Sequence, residues 1–303
     1  PRGVAHLVVF WGVLFPLIIA LVTQFGFDLP LLPARILSLI SDILGAALLA
    51  GLLFFLIRRL VVGSSQGPEG AVFPALILLA VVISGFFAEG ARLHITDPAV
   101  LWPTPVGGIL APFSPSSPLF MQIMIRMHFF GVLLFLCILP FTFMRHLVAS
   151  SLNVYYRDRA PRGKLRDMDL DQGPVGARQV VDLSWKQLLD AQACVSCGRC
   201  DTHCPALISG KPLSPRKTVL AVRTQMEKSS HSLLEDGIGP DEMWACTTCM
   251  ACAAHCPVYV TPMDQLMDMR RHQTMGQGLL PEEVRPVIRD LEIYGDVYGK
   301  GAA

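Results

Sequence analysis

Cys246–Pro257 reads CTTCMACAAHCP, and Cys194–Pro205 reads CVSCGRCDTHCP. In each block four cysteines stand three, three and four residues apart, and a proline closes the run. Cysteines in C-x2-C-x2-C wrap three corners of an iron–sulfur cube. The fourth, followed by proline, reaches the neighbouring cube in two-cluster ferredoxins. The spacing therefore predicts one [4Fe–4S] cluster on Cys194, Cys197, Cys200 and Cys256, and a second on Cys246, Cys249, Cys252 and Cys204. Zinc sites use two separated cysteine or histidine pairs, which this repeated run does not match. The ninth cysteine, Cys137, lies in an apolar stretch and reads as a small core residue. His203 and His255 precede the two fourth cysteines; they either tune the sulfurs by hydrogen bonding or sit on the surface.

Outward from the blocks, the signals are helical. Ser184 and Gln187 have capping-box spacing, so WKQLLDAQ forms a helix running into the first block. Between the blocks, SPRKTVLAVRTQMEKSS offers Ser214 as a cap and Pro215 as the first helical residue. After the second block, TPMDQLMDMRRHQ and PEEVRPVIRDLEIYG both carry helical periodicity. Residues 181–303 read as an α-helical ferredoxin domain. Free thiolates and such clusters belong in a reducing compartment. The preceding stretch, 151–180, is charged, broken by proline and glycine, and reads as a linker lying partly against headgroups.

The first half is of another kind. Residues 1–150 contain seven arginines, no lysine and five acids, whereas 151–303 hold the other eighteen basic and nineteen acidic residues. Four stretches, roughly 4–25, 36–60, 71–94 and 119–149, are long and apolar enough to cross a bilayer, which takes about 20 helical residues. Pro16, Pro74 and Pro140 bend these helices at most. If the first helix starts on side A, that side collects Arg2, Arg58, Arg59, Arg145 and the following Arg157, Arg159 and Arg162. The other, side B, has Arg35, Arg92 and Arg126, offset by Asp28, Glu89 and Asp97. Side A is then cytoplasmic, and the ferredoxin domain leaves on that side of a multi-pass inner-membrane protein. A net charge of +1 gives no reason to expect nucleic acid. The chain opens on Pro1 rather than methionine, which suggests that its start is missing.

Histidines add a second redox element. His128 and His146 are eighteen residues apart, five turns of one helix, so both point the same way about 27 Å apart along the axis. His6 lies level with His146 on side A, and His94 level with His128 on side B. Two levels with two histidines each suit bis-histidine haem b, which needs axial nitrogens from separate helices. The other reading is histidines resting in the headgroup layer. Asp42 pairs with Arg92 or Arg126, carries protons for a quinone, or caps its helix after Ser41; Glu89 is similar.

Together the halves form a path: haem near each face, then two clusters outside the membrane. No nucleophile–base pair, phosphate loop or dinucleotide fingerprint stands out, so no catalytic residue is assigned. Menaquinone or another quinone is the economical lipid-soluble partner, and a soluble redox protein is the other. The chain is thus expected to be a quinone-linked oxidoreductase subunit. Two further classes stand beside this one. A haem-free membrane anchor carrying a ferredoxin domain predicts clusters alone, and an ion-translocating subunit would use Asp42 and Glu89.

The segment RGVAHLVVFWG, the later SGFFAEGARL, and His128 with His146 resemble the haem b membrane subunit family of respiratory nitrate reductase. In that family two helices carry the ligands, and the final helix supplies two histidines at this spacing. The overall fold class implied is all-α: a cytochrome b-like transmembrane bundle over 1–150, followed by the ferredoxin domain. Residues 185–295 resemble the small iron–sulfur subunit of heterodisulfide reductase. The combination resembles membrane-bound heterodisulfide-reductase-like proteins, including electron-transfer-flavoprotein:menaquinone oxidoreductases. The resemblance implies a partner module, cysteine-rich or flavin-bearing, on another subunit or on a continuation of the chain. One departure stands out. The first ligand helix of those relatives carries a second histidine about ten residues on, where this chain has Pro16; one haem rather than two follows unless His94 substitutes.

Overall fold

The computed structural model describes residues 2–24, 31–62, 72–96, 104–159, 165, 175–228, 232–234 and 237–299. The chain divides into two compact units, residues 1–144 and 145–303. Among the described residues both are helical, with one isolated bridge, Gln179–Ser232, in place of any strand.

The first unit holds α1 (Arg2–Gln24), α2 (Leu31–Val62), α3 (Val72–Thr96), the short α4 (Pro105–Leu110) and α5 (Pro118–Ile138). Among the described residues, four spans within it are long and apolar enough to cross a membrane: Gly3–Val22, Ile36–Val61, Val72–Leu93 and Pro118–Phe141. Outward side chains such as Leu60, Phe129, Phe130 and Phe141 stay exposed, a surface suited to lipid rather than water. The inward stripe packs Leu48 and Leu52 of α2 with Leu78, Val82 and Phe86 of α3 and Phe135 of α5. Lipid gives no hydrophobic drive for helices to associate, so close backbone approach matters. At Gly12 a Cβ would fall 2.8 Å from Leu48 Cβ, so α1 and α2 can meet at this distance only with glycine.

The fourth span differs from the sequence expectation. Instead of one helix through 149, α5 ends at Ile138, a 3-10 turn covers Leu139–Phe141, and Thr142 is extended. A second short turn, Phe143–Arg145, leads to α6 (His146–Tyr155). Pro140 is the physical cause, having no N–H to donate and a ring that crowds the carbonyl four residues back. His128 and His146 therefore lie on different helices, and the five-turn register does not apply to them. Pro16, by contrast, lies inside an unbroken α1, and Pro74 falls in the first turn of α3.

The second unit starts with α6, so residues 151–155 of the expected linker are helical. Asn153 is fully buried there, its Nδ2 donating to Asp190 Oδ1 and to the Val258 carbonyl, both at 2.8 Å. Polarity in this stretch signals a buried amide whose nitrogen is paired, rather than a solvated connection. α7 (Trp185–Ala193) carries the complete Ser184–Gln187 capping box. The short α8 (Arg199–Thr202) and α9 (Pro205–Ile208) follow the first block's turns. Ser214 accepts from Lys217 N–H to open α10 (Pro215–Glu227). Next come α11 (Pro240–Trp244), α12 (Ala251–Ala254) and α13 (Pro262–Arg271), which runs on as a π turn through Gly276, and then α14 (Arg285–Tyr294). Leu213, Val219, Val222, Ile238, Met243, Leu266 and Met269 form the core of this unit.

Candidate functional site

Eight cysteines of the second unit surround two adjoining small cavities. One is lined by Cys194, Cys197, Cys200 and Cys256, with Cys252 also touching it. The other is lined by Cys204, Cys246, Cys249 and Cys252. Each ring thus draws its fourth thiol from the other sequence block, and Cys252 faces both cavities. The electrostatics divide the same way. Cys194 feels the charges of Cys256 and Cys197, whereas Cys252 feels those of Cys246, Cys249 and Cys204. Burial, reinforced by Asp201 and the neighbouring thiols, pushes Cys200 up to about 12. Burial and the thiols of its own ring push Cys252 to the same level. Both hold their protons until a metal displaces them.

The loops repeat in conformation as well as spacing. Ser196 and Gly198 in the first block have φ of 54° and 78°, and their counterparts Thr248 and Met250 have 55° and 59°. Alternating right- and left-handed residues turns successive N–H groups to one side, which suits a negatively charged group. Thr248 N–H donates to Cys246 Sγ at 3.4 Å, and Val260 N–H donates to Cys256 Sγ at 3.3 Å.

Two arginines carry no signal in the sequence. Arg223 on α10 donates to the carbonyls of Ala191 and Cys194. Arg270 on α13 does the same for Met243 and Cys246, with its Nη2 2.7 Å from each oxygen. Burial lowers both guanidinium pKa values, with the adjacent Cys194 and Cys246 opposing. They stand 29 and 24 residues after the first cysteine of their blocks, so no common spacing marks them. His203 and His255 come together on the surface, ring centroids 3.7 Å apart, which shows the two blocks meeting face to face.

The first unit contains a cavity of about 510 Å³ among α1, α2, α3 and α5. Its walls are mostly apolar, with Ser38, Ser41, Asp42, Glu89, Thr104 and His128 as polar members. His128 Nδ1 lies 2.8 Å from the Val81 carbonyl. A carbonyl only accepts, so Nδ1 carries the proton and Nε2 of the neutral ring is an acceptor. The ring lies against Gly85, where a Cβ would come within 2.9 Å of it.

Asp42 is not paired with Arg92 or Arg126. Its carboxylate accepts from Val106 N–H at 2.8 Å and Gly107 N–H at 3.2 Å, holding the first turn of α4. Asp42 also lies inside α2, so it caps a distant helix and not its own. Arg92 pairs with Glu89 at 2.7 Å, and Arg126 is exposed on α5. His6 is exposed near the start of α1, and His146 is the first residue of α6 in the other unit. His94 lies in the last turns of α3, and its side chain is outside the described residues. Thr104, which the sequence did not mark, is 2% exposed, and its Oγ1 has no hydrogen-bond partner.

Residues 186–257 match the model of a 4Fe-4S dicluster domain. The chain thus joins a 4Fe-4S dicluster domain to four described helices long and apolar enough to cross a membrane. Among curated relatives, the EtfAB:quinone oxidoreductase of Syntrophomonas wolfei is 28% identical over 275 residues, covering 75% of this chain and 38% of that protein. A probable membrane-anchored ferredoxin of Chromohalobacter salexigens is 32% identical over 187 residues, covering 49% of this chain and 28% of that one. An iron–sulfur subunit of the CoB–CoM heterodisulfide reductase of Methanopyrus kandleri is 35% identical over 85 residues, covering 28% and 40% respectively. The chain therefore spans less than half the length of each of these relatives. No solved structure matches it.

Proposed function

We propose that the chain is an electron-transfer subunit linking a membrane quinone pool to a soluble redox partner through two [4Fe–4S] clusters and haem b. The observation that carries this reading is the pair of adjoining four-thiol rings, joined through Cys252, on a chain that also supplies four membrane-length helices. The donors fit such clusters: each ring offers four thiols around a cavity, and backbone N–H groups already point at two of the sulfurs. Cys194, Cys197, Cys200 and Cys256 hold one cluster, and Cys204, Cys246, Cys249 and Cys252 the other. When bound, these groups supply one-electron carriers between a two-electron quinol and the partner.

The protein's own part is placement and charge. Swapped fourth thiols tie the two blocks together, so neither ring can shift without the other. Arg223 and Arg270 place a fixed positive charge beside Cys194 of one ring and Cys246 of the other, which favours the reduced, more negative state of whatever the thiols hold. His6 and His146 are the leading haem ligands. The quinone link is supported by the similarity to an EtfAB:quinone oxidoreductase, and a cytoplasmic ferredoxin domain by the arginine asymmetry. A flavin-bearing or cysteine-rich module is the expected soluble partner, and Pro16, where the haem b family carries a second histidine, favours a single haem over two. The test is a reduced-minus-oxidised spectrum of the detergent-purified protein, with haem quantified in the parent and in His6→Ala. A b-type spectrum that His6→Ala abolishes supports the relay. Its absence from the parent leaves a haem-free anchored ferredoxin.

A further inference from the structure

We infer that the cavity beside His128 is the binding site for the quinone headgroup, not for a second haem. The inference rests on the quinone-linked reading above and gives that reading a location. A volume of about 510 Å³ is within the range of roughly 300–1,000 Å³ typical of small-molecule sites. The lining is largely aliphatic, as a quinone ring and the start of its tail require.

The polar groups sort into those already used and those left over. Asp42 spends its carboxylate on the Val106 and Gly107 N–H groups, which a threonine at the N-cap of α4 would otherwise engage. Thr104 occupies that N-cap and makes no capping bond, and its hydroxyl is buried without a partner. Such a group is costly unless something pairs with it. His128 offers a second such group. Its Nδ1 is committed to Val81, so Nε2 is the nitrogen that remains for a ligand. A quinone has two ring oxygens. A carbonyl oxygen accepts from the Thr104 hydroxyl, and in the quinol form a hydroxyl donates to His128 Nε2.

Bis-histidine haem fits less well. Among the described lining residues His128 is the one histidine, and α1 contributes Pro16 and Leu17. On α3 the lining stripe runs through Leu78, Val82, Gly85 and Glu89. Position 94 falls about 140° round the helix from Glu89 at about 100° per residue.

The experiment uses the full-length protein in detergent, with the fluorescent quinol analogue heptyl-hydroxyquinoline N-oxide as probe. Thr104→Val keeps shape and removes the hydroxyl; His128→Gln removes the imidazole. Probe quenching, haem content and iron content are measured for the parent and both variants. The site predicts saturable quenching by the parent and roughly tenfold weaker binding by Thr104→Val. It predicts at least that loss for His128→Gln, with haem and iron unchanged in both. Loss of one haem in His128→Gln would show a haem ligand and overturn the assignment. Unchanged probe affinity in both variants would place the quinone elsewhere while leaving the quinone-linked relay standing. A parent that does not bind the probe would sink both.

Discussion

Arg223 and Arg270 carry the sharpest single-residue expectations. Each is partly buried, and each grips the carbonyl of the first cysteine of a sequence block and of the residue three before it. Replacing either by glutamine removes a positive charge from one ring only. The midpoint potential of that ring's cluster should fall by tens of millivolts, with the other unchanged, in a titration followed by electron paramagnetic resonance. Lysine at the same position keeps the charge but loses the two-carbonyl fork, so it should spare the potential and cost stability instead. Equal shifts in both clusters would mean a general loosening of the domain. Gly198 makes a backbone prediction. Its φ of 78° is left-handed and a Cβ there would meet no neighbour within 4 Å, so Gly198→Ala should cost about 1 kcal/mol through conformation alone. Thiol protonation adds a pH dependence. Because Cys200 and Cys252 sit near 12, they stay protonated at neutral pH in the empty protein, and cluster insertion must expel those protons. Reconstitution should therefore release acid and become more favourable as pH rises, which a pH-stat during iron and sulfide addition would register.

At the scale of elements, α4 depends on a residue sixty-four positions away in sequence. Asp42→Ala removes the acceptor for two N–H groups of a short helix and should destabilise the membrane unit by about 2 kcal/mol, seen as a lower thermal midpoint in detergent. Asp42→Asn, which keeps one acceptor oxygen, should recover part of that loss. A proton-carrying role would show the reverse pattern: stability kept by both variants and turnover lost. The same carboxylate illustrates what the sequence could and could not disclose. An acid inside an apolar helix announces a partner, but the partner is a backbone turn that only the packed structure identifies. The limits of α1, α2 and α3 were legible to within a few residues because twenty-odd apolar residues can do little else in lipid. The break after Ile138 was less so. Pro140 was visible, yet proline also sits unbroken within α1 at Pro16, and neighbouring packing decides between the two outcomes. Ser184 and Ser214 were legible as caps because capping chemistry is local.

For the whole molecule, the cysteine spacing and the apolar spans disclosed a dicluster domain and helices of membrane-crossing length, because each of these signals is local or periodic. The cavity around His128, the unpaired Thr104 hydroxyl and the two arginines arise from residues far apart in sequence that no spacing connects. The central claim is that the two four-thiol rings exchange their fourth ligands and so bind two clusters as one coupled unit. Its most direct test compares Cys204→Ala with Cys256→Ala in the purified full-length protein, by iron and sulfide content and by low-temperature electron paramagnetic resonance after reduction. The parent should hold about eight irons and eight sulfides per chain, with the two reduced clusters interacting magnetically. Cys204→Ala should damage the cluster on Cys246, Cys249 and Cys252, and Cys256→Ala the one on Cys194, Cys197 and Cys200. Damage confined to the mutated block's own cluster in each case, or a parent holding zinc without sulfide, would contradict it.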